Sequence, residues 1–539
     1  MVTINYKGSA IASIQTDIGK KTLKTAGKYC EGDIEIVAGY GKLPIAEAIE
    51  QLFTSQRTGK VYTVKIPKFA SNQTTTCEKL DDNVGLVCLS ATDTTQGHDD
   101  YEDIPLFRWY NCNYIRDSNN HAVPTAIEGV TDGYVTTGNV DVGVIQMAPY
   151  IKWDDSNEDY TLLSITDSPK DGYTLWSTAR YGDATYPYVI HSKYFSGKGE
   201  DGLPRSLPGL APLTASYSSQ ITDYAKKGHG YTGARLERNT WQIIFTLIKH
   251  AQKSSQTVFA GCTSYNYQYK AAVQRSEAAT YFPLTKAQAA NIVVGSCVSV
   301  GYGRPAGSGK YDTYRGSDNL HAYANRVKVL SIESIDDATS AVYLDVADGF
   351  NTMPVAISDT VTSEVYLSTM PWRSGATDSV YEHRDGSPGD NASGKYPYRV
   401  QGVEYAVGGY FVASDTVFEF TDAEGGKQLR VCPQGTAHSS SENVIRSSYT
   451  AVGVIPAGDY WIGDIGFDAD ACVIWPKVKG NGSATGIGDY NYGGGTPAAQ
   501  TLREHLSYGG LERGSYAGAS YAYAGDWLGL AFWNYLAAD

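Results

Sequence analysis

The sequence has no block of Lys and Arg: its 539 residues hold 44 of them against 58 Asp and Glu, a net charge of −14. A nucleic-acid binder normally carries a basic stripe for phosphate contacts, so no nucleic-acid partner is expected. No apolar run approaches the roughly 18 residues that a membrane helix needs, which argues against membrane insertion. The opening MVTINYKGSA has neither a basic n-region nor an apolar h-region, so no secretory signal is expected there. The eight Cys (Cys30, Cys77, Cys88, Cys112, Cys262, Cys297, Cys432 and Cys472) include no C-x-x-C pair, the short spacing of zinc and redox sites. Wide, irregular spacing in a large chain predicts buried free thiols and folding in a reducing cytoplasm. The acidic stretches His98–Asp103 (HDDYED) and Asp154–Asp159 (DDSNED) do not place oxygens regularly around a Gly as a calcium loop does. Both read as solvated loops, and neither a metal nor a cofactor is expected.

What the chain does have is tyrosine, 42 against 13 Phe, and 57 Gly. A core has no need of that many hydroxyls, whereas interfaces and exposed β-faces use them. A hydrophobic share of 42% and a charged share of 19% describe a globular protein. Its length predicts two to four folding units.

Residues 1–39 read as a small β module for docking or oligomerisation. Ile4, Tyr6, Ile11 and Ile14 suggest a hairpin turning near Gly8, and Ile34 and Ile36 alternate with acids in a further strand. Residues 40–60 form a linker with an amphipathic helix, Ile45, Ile49, Leu52 and Phe53 falling on one face. Residues 61–283 are the first part of a body of short strands and loops, in which Val142–Trp153 is an apolar strand broken by Pro149. Thr240–Lys253 is the clearest helix, with Trp241, Ile244, Phe245 and Ile248 on its apolar face. Lys249 and the lone His250 suit its negative C-terminus. Residues 284–370 alternate with period two and predict an inserted small β-barrel. Residues 371–539 return to mixed, Gly-rich sequence. Its stretch from Asp468 to Gly495 has the composition of a surface loop.

The terminal segment, residues 507–536, is the candidate ligand surface. Gly509, Gly510, Gly514, Gly518, Gly525 and Gly529 permit tight turns and work against a helix. Between them stand Tyr508, Leu511, Glu512, Arg513, Ser515, Tyr516, Ser520, Tyr521, Tyr523, Asp526 and Trp527. Tyr, Ser and Gly with an occasional Trp or Arg make an adaptable paratope: large rings at low entropy cost, and small residues for flexible hydrogen bonding. A Gly- and Tyr-rich β-meander closing a core is the structural alternative.

The phrases FAGCTSYNYQY, LTKAQAANIVVGSCVSVG, STMPWRSGATD, DGSPGD and YRVQGVEYAVGGYF stand in this order along the chain. Together they resemble a set found in virion proteins of phages that infect gut Firmicutes. The opening INYKGSAIASIQTDIGKKTLKTAGKYCEGDIEI is similar to a small N-terminal module of the same phages' structural proteins. The resemblance covers nearly the whole chain. It implies an α+β protein with a C-type-lectin-like body of the formylglycine-generating-enzyme type, on which the helix at Thr240–Lys253 packs. The segment matching Ser507–Leu536 would form surface loops and the last central strand. Some members resemble variable proteins of diversity-generating retroelements, in which adenine-directed mutagenesis rewrites the terminal loops. Asn codons randomised at both adenines yield Tyr, Ser, Asp, Gly, Ala, Leu and Arg but not Lys, Glu or Trp. From Ser507 to Asp526 only Glu512 departs from that set, and 501–539 contains no Lys and one Asn, Asn534. No Cys follows Cys472, which removes the cysteine pair of the fold's oxygenase relatives. EPN, QPD and WND triplets are absent, so calcium-bridged sugar binding is not expected.

These readings predict a receptor-binding virion protein, made in the host cytoplasm and carried on the phage tail or capsid. Its partners would be a host-surface protein or glycan and, through the N-terminal module, other virion proteins. Closed symmetry is the general expectation, and a homotrimer is the first choice. A purely structural decoration or tail-tip protein is the alternative. A polysaccharide depolymerase would need two carboxylates flanking a cleft. Asp154, Asp155, Asp385 and Asp390 all lie in polar loops that suit solvated carboxylates, so no catalytic residues are assigned.

Overall fold

A computed structural model describes residues 2–6, 9–14, 35–37, 42–68, 76–213, 217–253, 257–262, 264–265, 267–303, 319–359, 361–411, 413–420, 427–456, 460–479, 491–493, 506–508, 510–513 and 533–534. The strands Val2–Tyr6 and Ser9–Ile14 pair antiparallel, and Glu35–Val37 joins the other edge of Val2–Tyr6. This is the expected hairpin with its further strand, although Gly8 lies outside the described residues. Helix α1 (Ile45–Ile49) follows and widens into a looser turn, Glu50–Thr54. Ala48, Leu52 and Phe53 are buried, while Ile45 and Ile49 are half-covered.

Strands make up 37% of the structure and helices 14%, arranged as many small antiparallel sheets. One sheet orders Tyr188–Ser192, Val142–Met147, Trp109–Arg116 and Ala122–Ile127. A second orders Thr174–Leu175, Tyr150–Asp154, Tyr160–Thr166, Val61–Pro67 and Glu78–Asp81. The break at Pro149 therefore moves the chain from one sheet to the other, where the missing proline N–H costs neither ladder a bond.

Helices α2 (Tyr217–Ala225) and α3 (Leu236–His250) follow. Helix α3 was expected to begin at Thr240 and to bury one face. It begins at Leu236, and every residue from Leu236 to Lys249 is buried. It packs against Val61–Pro67, Tyr398–Val400 and Val473–Lys479. Burial on all sides removes the solvent face that a one-sided stripe implies. Val473–Lys479 is itself a correction: it is a strand whose Val473 and Ile474 lie in the main core, not part of a surface loop.

A six-stranded sheet orders Gln268–Lys270, Val365–Met370, Cys297–Tyr302, Ala324–Ser334, Thr339–Leu344 and Tyr281–Thr285. It has a core of its own around Phe282, Leu284, Val298, Val300, Val329, Val342 and Leu367. The alternation after 284 does give strands, but no barrel closes. The edge strands Gln268–Lys270 and Tyr281–Thr285 do not pair with each other, although the Ala272 N–H beside the first donates to the Pro283 carbonyl of the second, so the sheet stays open.

All described cysteines are free and buried, as their spacing predicts; Cys30 lies outside the described residues. The tyrosines depart from expectation. Tyr62, Tyr101, Tyr265, Tyr398 and Tyr405 are core residues. Tyr101 donates to Asn83 Oδ1 at 2.6 Å and Tyr405 to the Arg238 carbonyl at 2.7 Å, whereas the buried Tyr62 hydroxyl has no partner. Among the described residues no helix is long and apolar enough to cross a membrane.

Candidate functional site

The described residues of the terminal segment lie on strands. Tyr508 ends the strand Leu506–Tyr508 and faces Val417 in register. Leu511, Glu512 and Arg513 lie on Gly510–Arg513, opposite Phe411, Tyr410 and Gly409. These four positions are therefore strand, where the glycines had suggested turns. On its other side Gly510–Arg513 pairs with Trp533–Asn534, with Leu511 opposite Trp533. Ser515, Tyr516, Ser520, Tyr521, Tyr523, Asp526 and Trp527 lie outside the described residues.

A second location emerges only in three dimensions. A cavity of about 210 Å³ opens where α2, the first turn of α3 and the ends of Trp109–Arg116 and Tyr188–Ser192 meet. The entry to α3 explains its chemistry. Arg235, the residue before the helix, is extended and provides no side-chain cap. The first N–H is satisfied from a distance instead, Leu236 donating to Asp415 Oδ1 at 3.0 Å. Asp415 also pairs with Arg235 Nε at 3.4 Å. In the first turn Glu237 accepts from Trp176 Nε1 and lies 3.0 Å from His191 Nε2. Burial acts to raise the Glu237 pKa, but His191 and the Trp176 N–H outweigh it and hold the carboxyl below its ordinary value.

The cavity's other acidic groups are matched as well. Asp141 pairs with Lys227 at 2.6 Å and Arg205 at 3.4 Å, and Asp223 pairs with Lys226 at 2.6 Å. Burial pulls the Lys227 pKa down despite the Asp141 charge beside it. Arg238 differs. It is 5% exposed, and its guanidinium carbon lies 4.8 Å from the Phe195 ring centre and 4.5 Å from that of Tyr405. Nη2 donates to the Ser192 and Glu404 carbonyls, while Nε and Nη1 have no partner. Among the described residues Arg238 makes no ion pair.

At the other end of α3 lies a closed charge cluster. Lys249 Nζ stands 2.8 Å from Asp99, 2.7 Å from Asp385 and 3.1 Å from Gln401 Oε1. This corrects three expectations: Asp99 of HDDYED is buried, Asp385 is no solvated carboxylate, and Lys249 serves carboxylates and not just the helix end. Cys88, His250 and Asp385 bring one possible metal-ligating atom each within 4.8 Å of one another. Lys249 already neutralises Asp385, and burial raises the Cys88 thiol pKa, so a cation would meet an ammonium and a protonated sulfur. The arrangement is a buried ion network.

Compared with protein-family models, curated proteins and solved structures, the chain matches none of them. Sequence reasoning missed Arg238 because the helix was started four residues late. The available signal was two arginines, Arg235 and Arg238, three apart at a helix start, where positive charge opposes the macrodipole.

Proposed function

We propose that the chain is a receptor-binding virion protein of a bacteriophage, presenting residues 514–532 as a ligand tip on a C-type-lectin-like scaffold. Residues 61–283 and 371–539 form that scaffold, 284–370 an insert, 40–60 a linker and 1–39 the virion-docking module. One observation carries the reading. Gly510–Arg513 and Trp533–Asn534, the strands on either side of that stretch in the sequence, pair with each other within one sheet. That stretch holds Tyr516, Tyr521, Tyr523 and Trp527, whose rings supply contact area at low entropy cost. The sequence resemblance to phage virion proteins supplies the biological setting. The activity is binding, not catalysis, to a host-surface protein or glycan, and repetition in a homotrimer strengthens each weak contact through effective concentration.

The test is a variant carrying Tyr516→Ala, Tyr521→Ala and Tyr523→Ala, compared with wild type for adsorption to host cells and for thermal melting. Adsorption is expected to fall at least about tenfold, the effect of losing one aromatic anchor, with the melting temperature unchanged. Unchanged adsorption overturns the proposal and favours a structural virion role. Reducing ends released from host polysaccharide would favour a depolymerase.

A further inference from the structure

We propose that Lys249 and Asp385 condense into an intramolecular isopeptide bond, with Asp99 carrying the protons. The inference does not rest on the virion reading.

The reacting groups already touch. An ammonium has three N–H donors, and at Lys249 each meets a fixed acceptor: Asp99 Oδ2 at 2.8 Å, Asp385 Oδ2 at 2.7 Å and Gln401 Oε1 at 3.1 Å. Lys249, Asp99 and Asp385 are all buried. The Tyr101 ring centre lies 5.8 Å from Nζ, with Phe107 packed edge-on against that ring at 4.7 Å. Among the described residues no second cation pairs with either carboxylate. Two carboxylates around one ammonium leave a surplus negative charge away from water, which is costly unless one carboxyl keeps a proton. Burial acts to raise the pKa of both. At Asp385 it prevails, whereas at Asp99 the Lys249 charge and the Tyr101 N–H outweigh it. Asp385 is therefore the acid, Lys249 the incoming amine and Asp99 the base.

The step balances within these groups. The Lys249 ammonium passes a proton to Asp99, and Nζ attacks Asp385 Cγ as the C–N bond forms. The displaced electron pair moves onto Oδ1, where the Gln401 N–H at 2.7 Å meets the developing charge. The Asp385 hydroxyl takes the proton from Asp99 and leaves as water, and the new amide nitrogen gives its extra proton back to Asp99. No oxidant or co-reactant is needed. Attack on the same carboxyl by the Gly386 nitrogen is disfavoured, since that N–H is engaged by the Arg399 carbonyl at 3.1 Å. The bond closes the chain around the six-stranded sheet, whose strands run from Gln268 to Met370.

The test is intact-mass spectrometry of the purified full-length chain under denaturing conditions, followed by tryptic mapping. The wild-type chain is expected one water below its sequence mass. Residues 239–253 are expected joined to 385–395, with trypsin no longer cutting after Lys249. Lys249→Arg lacks the amine and Asp99→Asn lacks the base, so each is expected at its full sequence mass. If neither variant folds, the wild-type mass and map decide alone. A wild-type chain at full sequence mass after prolonged incubation overturns the proposal. So does a water lost within an unlinked 385–395 peptide, which is a succinimide at Asp385, or a link from Lys249 to Asp99. The same loss in either variant overturns it too.

Discussion

Among the described residues Glu404 makes no ion pair. Its carboxylate accepts from the Gly375 N–H at 3.2 Å, the Thr377 N–H at 2.9 Å and the Thr377 hydroxyl at 3.0 Å. Burial, opposed by the Thr377 hydrogen bonds and reinforced by the Asp378 charge, raises its pKa from 4.5 to about 7. Between those two values the folded protein keeps a proton that the unfolded chain releases. Stability from this group therefore falls as pH rises through that window and levels off above about 7. The full shift corresponds to about 3 kcal/mol. Glu404→Gln is expected to remove this slope, so the variant gains on wild type from the acidic to the alkaline side. Urea midpoints across pH measure it, and an unchanged wild-type slope in the variant contradicts the assignment. Lys249 shows the opposite arrangement, since its two carboxylates raise its pKa and keep the ammonium charged at every physiological pH. Sequence gave no hint of either group's surroundings, because Lys249 meets Asp99 across about 150 residues of chain with no periodic signal.

Among the elements, glycines and one tryptophan join two sheets. Trp475, on Val473–Lys479, lies in register with Gly466 on Tyr460–Asp468 and also covers Gly453 on Thr450–Ile455 of the neighbouring sheet. A Cβ at either glycine would overlap the indole. Gly453→Ala and Gly466→Ala are each expected to cost about 1–3 kcal/mol by denaturant unfolding, the usual penalty of overpacking. In a Trp475→Ala background that cost should disappear; a cost that persists would place its origin in the backbone and not the ring. Alternating strands such as Cys297–Tyr302 and Thr339–Leu344 were legible in the sequence because the side-chain period of two survives whatever packs on them. The start of α3 was not, because Arg235 stands where a Ser, Thr, Asp or Asn cap would have marked it. Nor was the cavity, whose wall gathers residues from Tyr114 to Val407.

For the molecule as a whole, stability and recognition are proposed to reside in different parts of the chain. The main core joins α1, α3 and strands from Val61 to Ile474 into one apolar body, and the six-stranded sheet adds a second core beside it. The tip, residues 514–532, is proposed to contribute contact without contributing to folding. Replacing residues 514–532 by a short Gly-Ser linker across the Leu511–Trp533 pair, then measuring melting temperature and host-cell binding on the same preparation, tests this most directly. The account predicts an unchanged melting temperature with binding abolished. Retained binding, or a framework that no longer folds, would contradict it.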